Sequence, residues 1–194
     1  MKILLSFFLL VSSFNAFATN PSPTTKTELM HPEVLIETSQ GEIMLELFPN
    51  EAPQTVANFL AYIQKDGYKN TKFHRVINNF MIQGGGFSAK TGKQLSSLDP
   101  IQNESRHGLS NKRGTISMAR TNDPHSATRQ FFINHADNKY LDAKNGKWGY
   151  TVFGKVTLGM KVVDRIASVK VGVADEPVKP VIINSITLHN KKVQ

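Results

Sequence analysis

The sequence predicts a mainly β domain, a closed antiparallel sheet whose ends are covered by two helices. Two observations carry this. Strand-like stretches are short and numerous, and helical periodicity occurs only twice, once early and once late in the chain.

The elements follow in order. Lys2, the apolar stretch Ile3 to Val11 and the small-x-small triplet Ala16-Phe17-Ala18 have the form of an export signal over residues 1–18, cut after Ala18. The apolar run is shorter than the roughly 20 residues a membrane-spanning helix needs, so a secreted chain without a membrane span is expected. Thr19 to Pro32 is rich in Thr, Pro and Asn and reads as a flexible arm over 19–32. In VLIETSQGEIMLELF, Val34 to Phe48, two apolar runs flank Ser39-Gln40-Gly41, and Ile43, Leu45 and Leu47 alternate with Glu42, Met44 and Glu46. That is a β-hairpin. Val56, Phe59, Leu60 and Ile63 then recur at helical spacing, with Pro53 suited to the first turn and Gly67 placed to cap the end.

FHRVINNFMIQGGG, Phe73 to Gly86, reads as a site rather than a core strand, because it sets Arg75 near Phe80, Met81 and Gln83 beside a glycine triplet. Ala89 to Arg113 is poor in long apolar runs and reads as a long surface loop. Strand-like stretches return at Thr115 to Ala119, Gln130 to Asn134 and Thr151 to Val156. A second helical pattern follows through Met160, Val163, Ile166 and Ala167, and Val181 to Leu188 gives the last strand. The domain is thus expected over 33–190, with 191–194 as a short tail.

The 176 residues after Ala18 suit one domain with a sizeable core. Cysteine is absent, so packing alone must hold the fold. The formal charge of +8 becomes +7 once Lys2 is removed, a basic surface that attracts acidic partners. The basic residues are scattered, and aromatic and basic residues do not interleave, which argues against nucleic-acid binding. The six histidines lack close metal-ligand spacing, so no metal is expected. The glycine triplet is not followed by Gly-Lys-Ser/Thr, so a tight turn is expected there instead of a phosphate cradle.

FHRVINNFMIQGGG, QFFIN (Gln130 to Asn134) and WGYTVFGKV (Trp148 to Val156) together resemble the cyclophilin family of peptidyl-prolyl cis-trans isomerases, over roughly Val34 to Leu188. The resemblance implies an eight-stranded antiparallel barrel capped by two helices, and an enzyme that needs no cofactor. It implies that Arg75 is catalytic, that Phe80, Met81, Phe132 and Leu141 hold the proline ring, and that Gln83, Gln130 and the backbone around Ala119 and Arg120 bind peptide groups. Period-two geometry places Gln130 and Phe132 on one strand face and Phe131 and Ile133 on the other. Two departures look similar to the bacterial exported branch: Tyr140 stands where many eukaryotic members carry tryptophan, and Tyr150 where they carry histidine. Arg120 replaces the frequent asparagine. The missing indole donor implies weak cyclosporin binding.

Each residue also has a duller reading. Arg75 could sit in a structural ion pair, and Phe80, Met81 and Phe132 could be core. The expected partners are proline-containing polypeptides, unfolded envelope or secreted proteins met by a monomer in the periplasm. A groove that binds such segments as a holdase, with turnover incidental, is the second reading.

Overall fold

The computed structural model describes residues 31–189; the expected export signal, the tail and all but the last two residues of the expected arm lie outside the described residues. Eight strands, Glu33–Thr38 (β1), Gly41–Leu47 (β2), Thr71–Ile77 (β3), Met81–Ser88 (β4), Thr115–Met118 (β5), Phe131–Asn134 (β6), Val152–Leu158 (β7) and Val181–His189 (β8), form a closed barrel in the order β1-β2-β7-β5-β6-β4-β3-β8. All neighbouring pairs are antiparallel. Two helices, Pro53–Gln64 (α1) and Met160–Ala167 (α2), complete it. Among the described residues no helix is long and apolar enough to cross a membrane.

Alternation builds the barrel. Val34 and Ile36 on β1, and Ile43, Leu45 and Leu47 on β2, have no solvent exposure. The hairpin between them is closed by Thr38, whose Oγ1 donates to Gly41 O at 2.6 Å and accepts from Gln40 N at 3.0 Å. On α1 the buried side is Thr55, Val56, Asn58, Phe59, Tyr62 and Ile63, while Leu60 is only partly buried. Phe59 meets Phe153 at 5.1 Å and Phe131 edge-on at 5.7 Å, so one helix residue joins two strands across the core. On α2 the buried residues are Val162, Val163, Ile166 and Ala167, and Met160 packs at the margin.

Three local expectations are corrected. The left-handed residue after α1 is Asp66 (φ 51°) and not Gly67. Gly67 instead sends its N–H back to Tyr62 O at 2.8 Å, in a space where a Cβ would lie 3.0 Å from that oxygen. Phe73 to Gly86 is two paired strands joined by a turn, with Phe73 and Ile82 in the core. Its glycine triplet lies inside β4, where a Cβ at Gly85 (φ 83°) would lie 2.9 Å from both Phe131 and Tyr68. Close packing, and not a tight turn, requires these glycines.

The third correction concerns Ala89 to Arg113, which is irregular apart from a short 3-10 turn (Ser105–His107) but is not wholly a surface loop. Asn103, Glu104, Ser105 and Asn111 are buried. Glu104 explains why. The N-cap of α1, Ala52, has no side-chain acceptor, and Glu104 reaches across to supply one. Its carboxylate accepts Gln54 N at 3.0 Å, Thr55 N at 2.9 Å and Thr55 Oγ1 at 2.7 Å. A carboxylate at a helix N-terminus is favoured by the free N–H groups and the helix dipole together. Glu104→Ala is therefore expected to destabilise the protein by about 2 kcal/mol, the loss of a cap with charge-assisted bonds. Urea unfolding measures it; a midpoint unchanged from the parent would mean water replaces the carboxylate at no cost.

Candidate active site

β3 and β4 pair with a bulge: Phe73 faces Gly84 while Arg75 faces Gln83, so two steps on β3 match one on β4. Phe73 is fully buried, and unbroken alternation would send Arg75 into the core as well. The extra residue turns Arg75 outward and Val76, 1% exposed, inward. The same register continues sideways, Gln83 facing Phe132 on β6 and Phe132 facing Ser117 on β5. Arg75, Gln83 and Phe132 thus form a row across three strands, each step about 4.8 Å.

That row floors a groove of about 280 Å³ lined by Arg75, Phe80, Met81, Gln83, Ala119, Arg120, Phe132, Leu141 and Tyr150. Met81 and Phe132 are 2% and 4% exposed, so they are packed like core residues and still present a face to the groove. Leu141 ends a 3-10 turn (Lys139–Leu141) and accepts Tyr150 N at its carbonyl, 2.9 Å, which fixes the two residues beside each other. The Tyr150 ring meets Phe132 edge-on at 5.7 Å. Tyr140 is not in the lining; it stands 72% exposed at the rim, stacked on Phe80 at 6.0 Å. Gln130 lies in an adjoining polar cavity of about 370 Å³ that shares Gln83, Ala119 and Arg120 with the groove. Gln83 Nε2 donates to Gln130 Oε1 at 3.0 Å across that boundary. Ala119 N donates to Gln130 O at 2.9 Å, so the backbone there is tied to β6.

The two arginines differ in what they are free to do. Arg120 donates to Gly149 O and Trp148 O, both at 3.1 Å, and to Thr121 O at 2.8 Å, and lies 4.6 Å over the Tyr150 ring. Its guanidinium is spent on holding the wall. Arg75 keeps its terminal nitrogens without hydrogen bonds among the described residues, and only Nε donates, to Asp175 Oδ2 at 3.4 Å. Both side chains of that pair are 43% exposed, so the contact is worth about 0–1 kcal/mol and leaves the cation available.

The His74 ring, next to Arg75, packs on Phe87 at 4.5 Å, and its Nδ1 is buried without a hydrogen-bond partner. Burial, reinforced by the Lys72 ammonium, lowers its pKa to about 4. At neutral pH His74 is therefore uncharged, and of the two neighbours only Arg75 brings a positive charge to the groove.

Residues outside the sequence reading also frame the site. Asp175 follows Ala174, and the two hold successive left-handed conformations (φ 60° and 57°). No local pattern in the sequence marks them. His135 and Asn138 fasten the turn that bears Phe80, and their spacing after QFFIN gives no signal of that contact. Among the described residues no group of three or more His, Asp and Glu side chains is placed to hold a metal ion.

The family described as "Cyclophilin type peptidyl-prolyl cis-trans isomerase/CLD" matches residues 33–188. The chain is 56% identical over 160 residues to peptidyl-prolyl cis-trans isomerase cyp18 of Streptomyces antibioticus, spanning 78% of this chain and 95% of that one. To peptidyl-prolyl cis-trans isomerase A of Dickeya dadantii it is 46% identical over 194 residues, 98% of this chain and 99% of the other. A crystal structure of a Cryptosporidium parvum cyclophilin type peptidyl-prolyl cis-trans isomerase superposes with a TM-score of 0.74 at 31% identity, covering 83% of this chain and 99% of that chain. A second crystal structure of the same protein was obtained in the presence of the dipeptide Ala-Pro and gives a TM-score of 0.73 over 82% and 99% of the two chains.

Proposed function

The chain belongs to the cyclophilin-type peptidyl-prolyl cis-trans isomerases, and on that footing we propose that Arg75 and the groove beside it twist X-Pro bonds in exported proteins as they fold. The observation that carries the mechanism is the free guanidinium edge of Arg75 at the mouth of a groove walled by Phe80, Met81, Phe132 and Leu141. An X-Pro bond resists rotation by about 18–20 kcal/mol because amide resonance stiffens it. A donor aimed at the prolyl nitrogen favours the pyramidal nitrogen of the twisted state, in which resonance is lost, over the planar ground state. One charge-assisted bond supplies roughly 1.5–3 kcal/mol. The remainder comes from holding the ring on Phe132 and Met81 while the preceding residue rotates.

Gln83 and Gln130 form the polar edge of the groove, where a substrate's peptide groups are to be bound, with the Ala119 backbone beside them. Arg120 serves as a wall: its side chain is committed to backbone carbonyls and the Tyr150 ring, so only its backbone is assigned to substrate. The clients are proline-containing polypeptides of the envelope or the secreted set. The export reading rests on Lys2, the apolar run and Ala16-Phe17-Ala18. Acceleration of slow X-Pro steps is the service such clients need.

The test is cis-trans exchange of a short Ala-Pro peptide followed by NMR with the chain from Thr19 onward. Exchange cross-peaks growing with enzyme concentration are expected; binding without faster exchange would hand the groove to the holdase reading. Cyclosporin is expected to bind weakly, because Tyr140 supplies no indole N–H and its ring stands exposed on Phe80. Calorimetry returning tight binding would remove that expectation.

A further inference from the structure

The turn between β3 and β4 carries Phe80, one wall of the groove, and residues just after β6 fasten it, His135 foremost. His135 directly follows β6. Its backbone N donates to Phe80 O at 2.8 Å, and its ring Nδ1 accepts Asn79 N at 3.0 Å. Its Nε2 lies 3.1 Å from Asp164 Oδ1 on α2. Asn138 Nδ2 joins at Phe80 O, 2.8 Å. Asn79 sits at φ 56°, a left-handed conformation that asparagine tolerates better than other non-glycine residues, and these bonds hold the turn in it.

The bonds fix the tautomer. A nitrogen that accepts carries no proton, so Nδ1 is bare and Nε2–H donates to Asp164. With its side chain only 10% exposed, the imidazole is a strut between α2 and the Phe80 turn.

We propose that His135 is a positioning residue for the isomerase groove: neutral, it clamps the turn and sets Phe80 against the proline, and protonation of Nδ1 removes the acceptor of Asn79 N and slackens that grip. Arg75 is untouched by the change, so substrate affinity moves and the rate of the bound step does not. The inference rests on Phe80 being a wall of the substrate site. The charged groups that face the ring are Asp164 from α2 and Arg113 from the segment before β5. Arg113 donates to His135 O at 2.6 Å and to Asp164 Oδ1 at 2.7 Å. Those contacts hold the Asp164 carboxyl below its usual range, so it remains ionised in mild acid and keeps its end of the strut.

The experiment follows the Ala-Pro peptide by NMR exchange at several concentrations, from about pH 8 down to about pH 5. Wild type, His135→Asn and His135→Leu are compared, with the Asn79 amide signal recorded in each. For wild type, KM should rise roughly 3- to 10-fold with acid, the worth of one hydrogen bond, at constant kcat. His135→Asn keeps an acceptor and cannot titrate, so its KM and its Asn79 shift should stay flat. His135→Leu should bind at pH 8 as weakly as wild type does in acid.

A wild-type acid slope retained in His135→Asn would overturn the proposal, as would a folded His135→Leu that binds like wild type at pH 8. Should the leucine variant not fold, the asparagine variant and the Asn79 signal still decide. A wild type that accelerates no exchange at any pH would be a failure of the isomerase site itself and is distinguished by that.

Discussion

In an Arg75→Ala variant, the acceleration of prolyl exchange is expected to fall on the order of 10²-fold, the cost of removing one preorganised donor from a transition state. The fold should survive. Arg75 is half exposed, and its one partner, Asp175, is held at 3.4 Å in a pair that contributes about 0–1 kcal/mol. Peptide affinity should fall much less than turnover, because the ring-binding surface of Met81 and Phe132 is built by the packing of β4 and β6. Loss of kcat with nearly constant KM marks an interaction made only in the transition state. Arg75→Lys separates charge from geometry: a compact ammonium cannot hold Asp175 with one nitrogen while aiming another at the proline, so it should recover a minor part of the rate. The measurement is NMR exchange at matched concentration with thermal melts alongside. An alanine variant within a fewfold of the parent would assign the catalysis to the apolar groove alone.

The outward placement of Arg75 was only partly legible in the sequence. The FHRVINNFMIQGGG resemblance singles it out, while strict alternation would put it on the same face as the buried Phe73. The β3–β4 bulge resolves that conflict, and a bulge is a register property of two strands that no single stretch encodes. Elements defined by local periodicity were readable: the β1–β2 hairpin, α1 with Pro53 in its first turn, α2, and the last strand all occupy the expected segments. What the sequence hid was support brought from far away. Glu104 reaches α1 from 49 residues along the chain, Asp175 reaches Arg75 from 100, and His135 reaches Asn79 from 56. In a barrel whose strand neighbours are mostly distant in sequence, such contacts are fixed by topology, and a lone Glu, Asp or His in a polar segment carries no sign of them.

Arg129 is the strongest case of that kind, and substituting it should produce the largest loss of stability. It precedes Gln130, nothing in its local sequence marks it, and it is 5% exposed. Its Nε donates to Gly85 O at 2.8 Å, Nη1 to Ser96 O at 2.6 Å, and Nη2 to Gly67 O. The guanidinium carbon lies 5.1 Å from the centre of the Tyr62 ring and 5.9 Å from that of Tyr68. Carbonyl dipoles and aromatic faces, with no carboxylate in the set, stabilise this buried cation. The three carbonyls come from the turn after α1, the glycine segment of β4 and the long loop, so one side chain ties three segments together. Arg129→Met keeps most of the volume but strands the buried Gly85 carbonyl, at about 1–3 kcal/mol, and gives up the bonds to half-buried Gly67 and exposed Ser96, which water replaces in part. With the cation–π contacts to Tyr62 and Tyr68 also lost, the expected loss is about 2–4 kcal/mol. For a domain of this size that lowers the melting temperature by roughly 10 °C. Arg129→Lys can reach one carbonyl at a time and should fall between the two. Because Gly85 neighbours Gly86, where the Gln130 side chain packs so closely that a Cβ would lie 2.6 Å from it, loosening Arg129 should also disturb the Gln83–Gln130 pair. Calorimetric melts of the three proteins read the first effect and peptide KM reads the second. Were Arg129→Met to melt within a degree or two of the parent, the carbonyls would be solvated without it and the staple would be idle.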